Sequence, residues 1–269
     1  MKRLLLAALV FSGIATGSFA GIVRSGFDAS SMGRNDDSSS DRRPLGFSNA
    51  INFGGANYTS LYVNNNGNVT FDGALSAFTP FGIATLNRAI IAPFFADVDT
   101  RNALSGIAAY GTGTVDGFQA FGVTWKDVGY YDRKADKKNT FQLVLINRPD
   151  TGPGNFDIEF NYDKIQWEAG EASRGAGGLG GTTAGIGFAN SPGALTVQVP
   201  GSGLAGAFLD SNLTTGLLHS SNVGIDGRFL YSIRNAPVAA APVPEPTTVV
   251  FGLALIAACA CGRPRAARR

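Results

Sequence analysis

Cysteine is nearly missing from this chain of 269 residues: it has two, Cys259 and Cys261, both inside a C-terminal apolar stretch. No disulfide can brace the rest, so its stability must come from a buried core. Histidine is scarcer still. His219 is the single one, and a usual zinc site draws several ligands from His and Cys, so such a site is excluded. A serine triad on His219 finds no nucleophile-elbow motif to support it, and His219 reads as a loop or surface histidine. A basic patch is also lacking. Of the 22 Lys+Arg, six (Lys2, Arg3, Arg263, Arg265, Arg268 and Arg269) lie in the end segments, as does Glu245 among the 20 Asp+Glu. Residues 21–236 keep 16 basic and 19 acidic side chains. This mildly acidic balance argues against nucleic acid as a partner. Amphipathic helix is missing as well: residues 45–234 hold no convincing 3.6-residue periodicity over about 11 residues.

Both ends read as addressing segments. Residues 1–20 carry Lys2 and Arg3, an apolar run, and Ser18-Phe19-Ala20 before Gly21. That is the pattern of a secretory signal peptide cleaved between Ala20 and Gly21. Residues 236–246 form a Pro/Ala spacer. Residues 247–269 hold 13 apolar residues (249–261) followed by the four arginines. The stretch is short against the roughly 17–25 residues of a stable span, and the arginines orient it with its basic end in the cytoplasm. Cys259 and Cys261 read as small apolar fillers within it.

Between the ends the pattern is short strands. Residues 21–43 are polar and Ser/Asp-rich without periodicity; the Asp/Ser run at 33–43 offers carboxylates to calcium but lacks the spacing of a known loop, and the segment reads as a flexible lead. Residues 44–235 read as one β domain. Asn-Gly at 66–67 marks a hairpin between residues 60–63 and 68–71. Strands are expected at 86–95, 106–110, 118–125, 141–147, 156–162, 182–188, 195–199, 207–209 and 229–233. In FDIEFNY (156–162), Phe156, Ile158, Phe160 and Tyr162 share one face, and Asp157, Glu159 and Asn161 the other, as in a half-buried antiparallel strand. The glycine-rich run 175–181 (GAGGLGG) precedes a strand, not a helix, so it reads as a mobile loop and not a phosphate cradle. The fold class is all-β: a single antiparallel β-sandwich or barrel-like domain, flanked by a signal peptide and a C-terminal transmembrane helix.

The pattern centres on residues 90–101 (IIAPFFADVDTR). Asp97 and Asp99 have the same strand parity, so their carboxylates leave one face and repel unless a positive charge lies between them. Arg101 continues that parity. Two readings fit: a local Asp–Arg pair at a strand end, or a metal site on Asp97 and Asp99 for a hard cation such as calcium. Glycoside hydrolysis also uses paired carboxylates, with Asp97/Asp99 or Asp157/Glu159 as candidates. Trp125 and Trp167, however, fall in strand motifs where core packing is expected. A second candidate is the stretch 130–138, where Tyr130 and Tyr131 precede Arg133, Lys134, Lys137 and Lys138. It reads as a charged loop tip, either solvated or in contact with an acidic polysaccharide.

PFFADVDTR resembles the signature of the nidogen-like (NIDO) extracellular domain. Four further segments follow in the family's order: VTWKDVGYY (123–131), NTFQLVLI (139–146), FDIEFNYDKIQW (156–167) and AGIGFAN (184–190). LYVNNNGNVTF (61–71) resembles the hairpin that often precedes the signature. Phe95 stands where animal members often have Trp. The resemblance implies a secreted, non-catalytic adhesion or binding module with a role in cell–matrix contact. Val243-Pro244-Glu245-Pro246-Thr247, with the apolar stretch and the Arg cluster behind it, resembles the bacterial PEP-CTERM sorting signal. That resemblance implies transient membrane insertion, removal of the tail by an exosortase, and association with exopolysaccharide or a matrix or surface protein. No cofactor is implied beyond calcium at Asp97 and Asp99.

Overall fold

Period-two alternation governs the fold. The computed structural model describes residues 22–85, 87–190 and 195–235. Their strands are β1 (Ser30–Ser31), β2 (Arg43–Pro44), β3 (Ile51–Phe53), β4 (Ala56–Tyr58), β5 (Ser60–Asn64), β6 (Asn68–Thr70), β7 (Ile90–Phe95), β8 (Ala108–Val115), β9 (Phe118–Tyr130), β10 (Lys134–Asn147), β11 (Phe156–Ile165), β12 (Gly185–Ala189), β13 (Thr196–Gln198) and β14 (Arg228–Ile233). One six-stranded sheet runs β1-β8-β9-β10-β11-β14, a second runs β13-β12-β7-β6-β5-β2, and β3 and β4 form a separate hairpin. All named pairings are antiparallel. The two large sheets share one core, so the architecture is the β-sandwich expected. Among the described residues no helix is long and apolar enough to cross a membrane. The cleavage pair Ala20 and Gly21, the spacer with Val243, Pro244, Glu245, Pro246 and Thr247, and the tail with Arg263, Arg265, Arg268 and Arg269 lie outside the described residues.

The sheets are joined by aromatic side chains. Phe94 of β7 sits 5.2 Å from the Phe141 ring of β10 and 5.7 Å edge-on from Trp167. Trp125 of β9 stacks on Phe141 at 5.0 Å. Tyr162 Oη donates across the core to the Pro93 carbonyl at 2.7 Å. Phe94 reaches this cluster because β7 bulges. Gly187 pairs with Ala92 and Gly185 with Phe95, so three steps on β7 match two on β12. Pro93 has no N–H to give a ladder, and a bulge accommodates it. Gly67 completes the fit. Its φ is +74°, and a Cβ there would stand 1.8 Å from the Phe94 carbonyl oxygen.

Four expectations are corrected. Residues 22–43 are not a flexible lead. Phe27 is buried with Val115, Ala120, Val144 and Ile146, over Gly122, where a Cβ would come within 2.3 Å of its ring. Met32 N donates to the Ala108 carbonyl at 3.0 Å, and Asn35 and Thr100 exchange hydrogen bonds. The polar face of β11 is not solvated either. Glu159 accepts Arg24 Nε at 2.6 Å and Nη2 at 2.9 Å, while Asp157 is paired with Arg148 at 2.7 Å and Arg234 at 2.6 Å. The alternation was real, but arginines from distant segments cover its polar side. The run 175–181 folds back through Ala176 and Leu179 and leads towards β12. The strand expected at 207–209 is a bend, although Phe208 still enters the core.

Burial alone would raise the Glu159 pKa, but hydrogen bonds from Arg24 and Asn161 hold it below the ordinary value. A depressed carboxyl contributes stability above its unfolded pKa, and this is lost as pH falls through the folded one. Arg24→Met is therefore expected to lower unfolding free energy at neutral pH by about 2 kcal/mol. The variant's stability should also fall less steeply than wild type as the pH drops below about 4.3. Urea unfolding across that window measures both.

Candidate functional site

Beyond β7 the chain leaves the sheet but keeps its alternation. Ala96 and Val98 enter the core, and Asp97 and Asp99 point to the other side. Both carboxylates are nonetheless buried, at 1% and 0% exposure. Asp99 is fully engaged. Arg101 donates to it from its backbone N at 2.9 Å, from Nε at 2.9 Å and from Nη2 at 2.5 Å, and Arg133 N adds a fourth bond at 2.8 Å. Burial works to raise the Asp99 pKa, but these donors outweigh it and hold the carboxyl below the ordinary value. The Asp–Arg reading therefore applies to Asp99. The same guanidinium lies 2.9 Å from Asp36 Oδ2 and 3.6 Å from Asp132.

Asp97 takes no share of Arg101. It groups instead with Asp36 and Asp37, one oxygen of each lying within 4.8 Å of the others. Oδ2 of Asp97 is buried with no hydrogen-bond partner. Burial first, then the charges of Asp36, Asp37, Asp99 and Glu171, raise its pKa to about 7. Asp36 is raised to about 6 by burial and by Asp99, Asp37 and Asp132, against the pull of Arg101. The expected Asp97/Asp99 pair is thus divided: Asp99 belongs to an ion pair and Asp97 to an acidic cluster.

The hairpin 64–67 builds the floor of this cluster. Asn65 Nδ2 donates to the Asp36 carbonyl and, at 2.6 Å, to the Val98 carbonyl. Asn66 Nδ2 donates to Asp37 Oδ1 at 2.8 Å, and its Oδ1 accepts Val98 N at 3.0 Å. Gly170 closes the far wall, where a Cβ would stand 2.6 Å from Asp97 Oδ2. The Asp/Ser run that holds Asp36 and Asp37 reads as a linker because it lacks the spacing of a calcium loop, and nothing in the sequence joins it to Asp97, some 60 positions away.

The loop tip is shorter than the basic stretch. Lys134, Lys137 and Lys138 lie on β10, and the turn is confined to residues 131–133. Tyr130 is buried against Trp167 at 5.5 Å and donates to Asp136 at 2.9 Å. Tyr131 is half-buried beneath the Arg101 guanidinium. Lys137 Nζ donates to the Gly177 carbonyl at 2.9 Å, and Lys138 N to Gln166 at 3.0 Å. Arg133 and Lys134 remain exposed. Their turn lies over the acidic cluster: Tyr131 N donates to the Asp97 carbonyl at 3.2 Å.

A family model described as the nidogen-like domain (NIDO) matches residues 59–116 and 107–235. The chain belongs to the nidogen-like domain family. It is 34% identical to alpha-tectorin of Mus musculus over 223 residues, which is 74% of this chain and 10% of that protein. It is 31% identical to nidogen of Drosophila melanogaster over 216 residues, 70% of this chain and 14% of that protein. The chain thus spans about a tenth of the length of alpha-tectorin. No solved structure gives a significant match.

Within this nidogen-like domain the members of each candidate carboxylate pair take different partners. Asp157 and Glu159 are each held by arginines, and Asp97 and Asp99 have different partners. His219 is exposed, with Nε2 3.1 Å from the Asp210 carbonyl oxygen. Arg101 is the cation on which Asp99 and Asp36 depend. Arg101→Gln should destabilise the domain by about 3 kcal/mol, because it leaves buried Asp99 and half-buried Asp36 without their charge partner. Arg101→Lys should recover less than half of that loss, since an ammonium cannot reproduce the two-pronged contact. Chemical denaturation of the two variants decides it.

Proposed function

We propose that this chain is an exported, non-catalytic adhesion module that works at the cell surface or in the extracellular matrix, held to exopolysaccharide or to a matrix protein. The observation that carries this reading is membership of the nidogen-like family, whose resemblance implies cell–matrix contact. The two end segments support it: a signal peptide ending at Ala20, and a PEP-CTERM-like tail that an exosortase would remove after transient membrane insertion. The ionic pairs of β11 support a non-catalytic role, because they bind their carboxylates into the framework.

The contact we assign to an acidic polysaccharide is the turn of the β9–β10 hairpin, where Arg133 and Lys134 stand exposed. Long-range attraction of that kind is screened by salt. The exported protein is expected to co-sediment with the producing cell's own exopolysaccharide at low ionic strength. A double Arg133→Ser, Lys134→Ser variant should bind several-fold more weakly. Failure of the wild-type protein to co-sediment, or to retain any matrix protein, would contradict adhesion. Intact mass tests the route: the matrix fraction should contain a species that starts at Gly21 and ends within residues 243–247. Retention of Arg269 in the inner membrane would contradict release.

A further inference from the structure

We propose that Asp36, Asp37 and Asp97 form a calcium site that clamps the leading segment of the chain onto the β7 extension. The oxygens have the right reach. Calcium takes six to eight oxygen ligands at about 2.3–2.6 Å, so two ligands of one ion stand no more than about 5 Å apart. The three carboxylate oxygens lie within 4.8 Å of one another, which lets one ion contact all three with little rearrangement.

A second observation points to a ligand independently of the grouping. Asp97 is 1% exposed, and its Oδ2 has no hydrogen-bond partner. Asp36 Oδ1 and Asn65 Oδ1 are likewise buried without partners. Asn65 lies at the same place, since its amide nitrogen donates to the Asp36 carbonyl. Three buried acceptors without donors, around three acids, are costly as they stand and become favourable ligands around a cation.

Arg101 and Arg34 do not meet the need. Arg101 is engaged by Asp99 on two atoms and by Asp36 on one side. Arg34 gives its guanidinium to the carbonyls of Thr100, Asn102, Ala103 and Ser105. The donor set is all oxygen, which suits a hard ion and not a soft one. The ligands come from two segments far apart in sequence, so binding ties together parts of the fold that no disulfide joins. This inference goes beyond adhesion and holds whatever polymer the domain binds.

The test is thermal unfolding of the exported protein in chelator, in calcium and in magnesium. Calcium at tenfold its dissociation constant should raise the melting temperature by about 3–6 °C, and magnesium by clearly less. Asp97→Asn and Asp37→Asn should abolish the rise. In chelator, Asp97→Asn should melt no lower than wild type, because it removes a buried uncompensated charge; a purely structural aspartate would show the reverse. Terbium gives a second readout. The Trp125 indole donates to the Asn65 carbonyl at 2.9 Å, so excitation of tryptophan should sensitise terbium emission that calcium competes away. No melting shift and no terbium emission would overturn the proposal. So would a shift that survives in both variants, and a magnesium response equal to that of calcium would overturn the choice of ion.

Discussion

Asp99 and Arg101 neutralise one another through parallel hydrogen bonds, and the burial of the β7 extension depends on that pairing. An isolated carboxylate taken out of water at this depth would be strongly destabilising. With Asp99 satisfied, Ala96 and Val98 can continue the core beyond the end of β7. The turn at 131–133 can then close over the top, and Arg133 N supplies the last donor. The second side of Arg101 reaches Asp36 and so connects the leading segment to the same ion pair. At the opposite sheet face Arg24 performs a similar service for Glu159. The leading segment is thus held by charge at two separate places and by Phe27 between them.

The nidogen-like domain therefore begins earlier than its family match. The match starts at residue 59, while Phe27, upstream of it, is already buried in the same body. What lies between is structural: β1 extends one sheet, β2 extends the other, and the β3–β4 hairpin packs Ile51 and Phe53 into the core. A domain without disulfides gains by such additions, because each covers an edge strand or an apolar face. The adhesion reading rests on family membership and the export segments; the cation reading rests on the local chemistry of three aspartates. The two are independent, and either can fail alone.

Much of this was legible in the sequence because side-chain alternation is a local property. The Asn-Gly hairpin, the β10–β11 pair and the inward face of β11 all follow from residue order. The parity of Asp97 and Asp99 was legible too. Their partners were not, since a carboxylate's neighbours across a fold leave no trace in spacing. Asp36 and Asp37 sat in a polar run with the composition of a linker, and only the long-range contacts of Asn65 and Asn66 give them a place. Tyr130 looked like the flank of a binding loop because aromatic residues before a charged stretch carry no sign of which face they take. The β3–β4 hairpin did carry a signal, Gly54-Gly55 between two triplets that each centre on an Asn, but strands of three residues are too short for alternation to declare them.

The leading segment is an integral part of the domain and not a tether. Hydrogen exchange of its backbone amides in the exported protein tests this most directly. Met32 N, Asn35 N and Ser40 N donate to acceptors on other elements. They should exchange slowly, on the timescale of the β9–β10 ladder, because releasing them requires opening the sandwich. Exchange as fast as that of an unstructured peptide would contradict it, and the acidic cluster would then have no fixed position for Asp36 and Asp37.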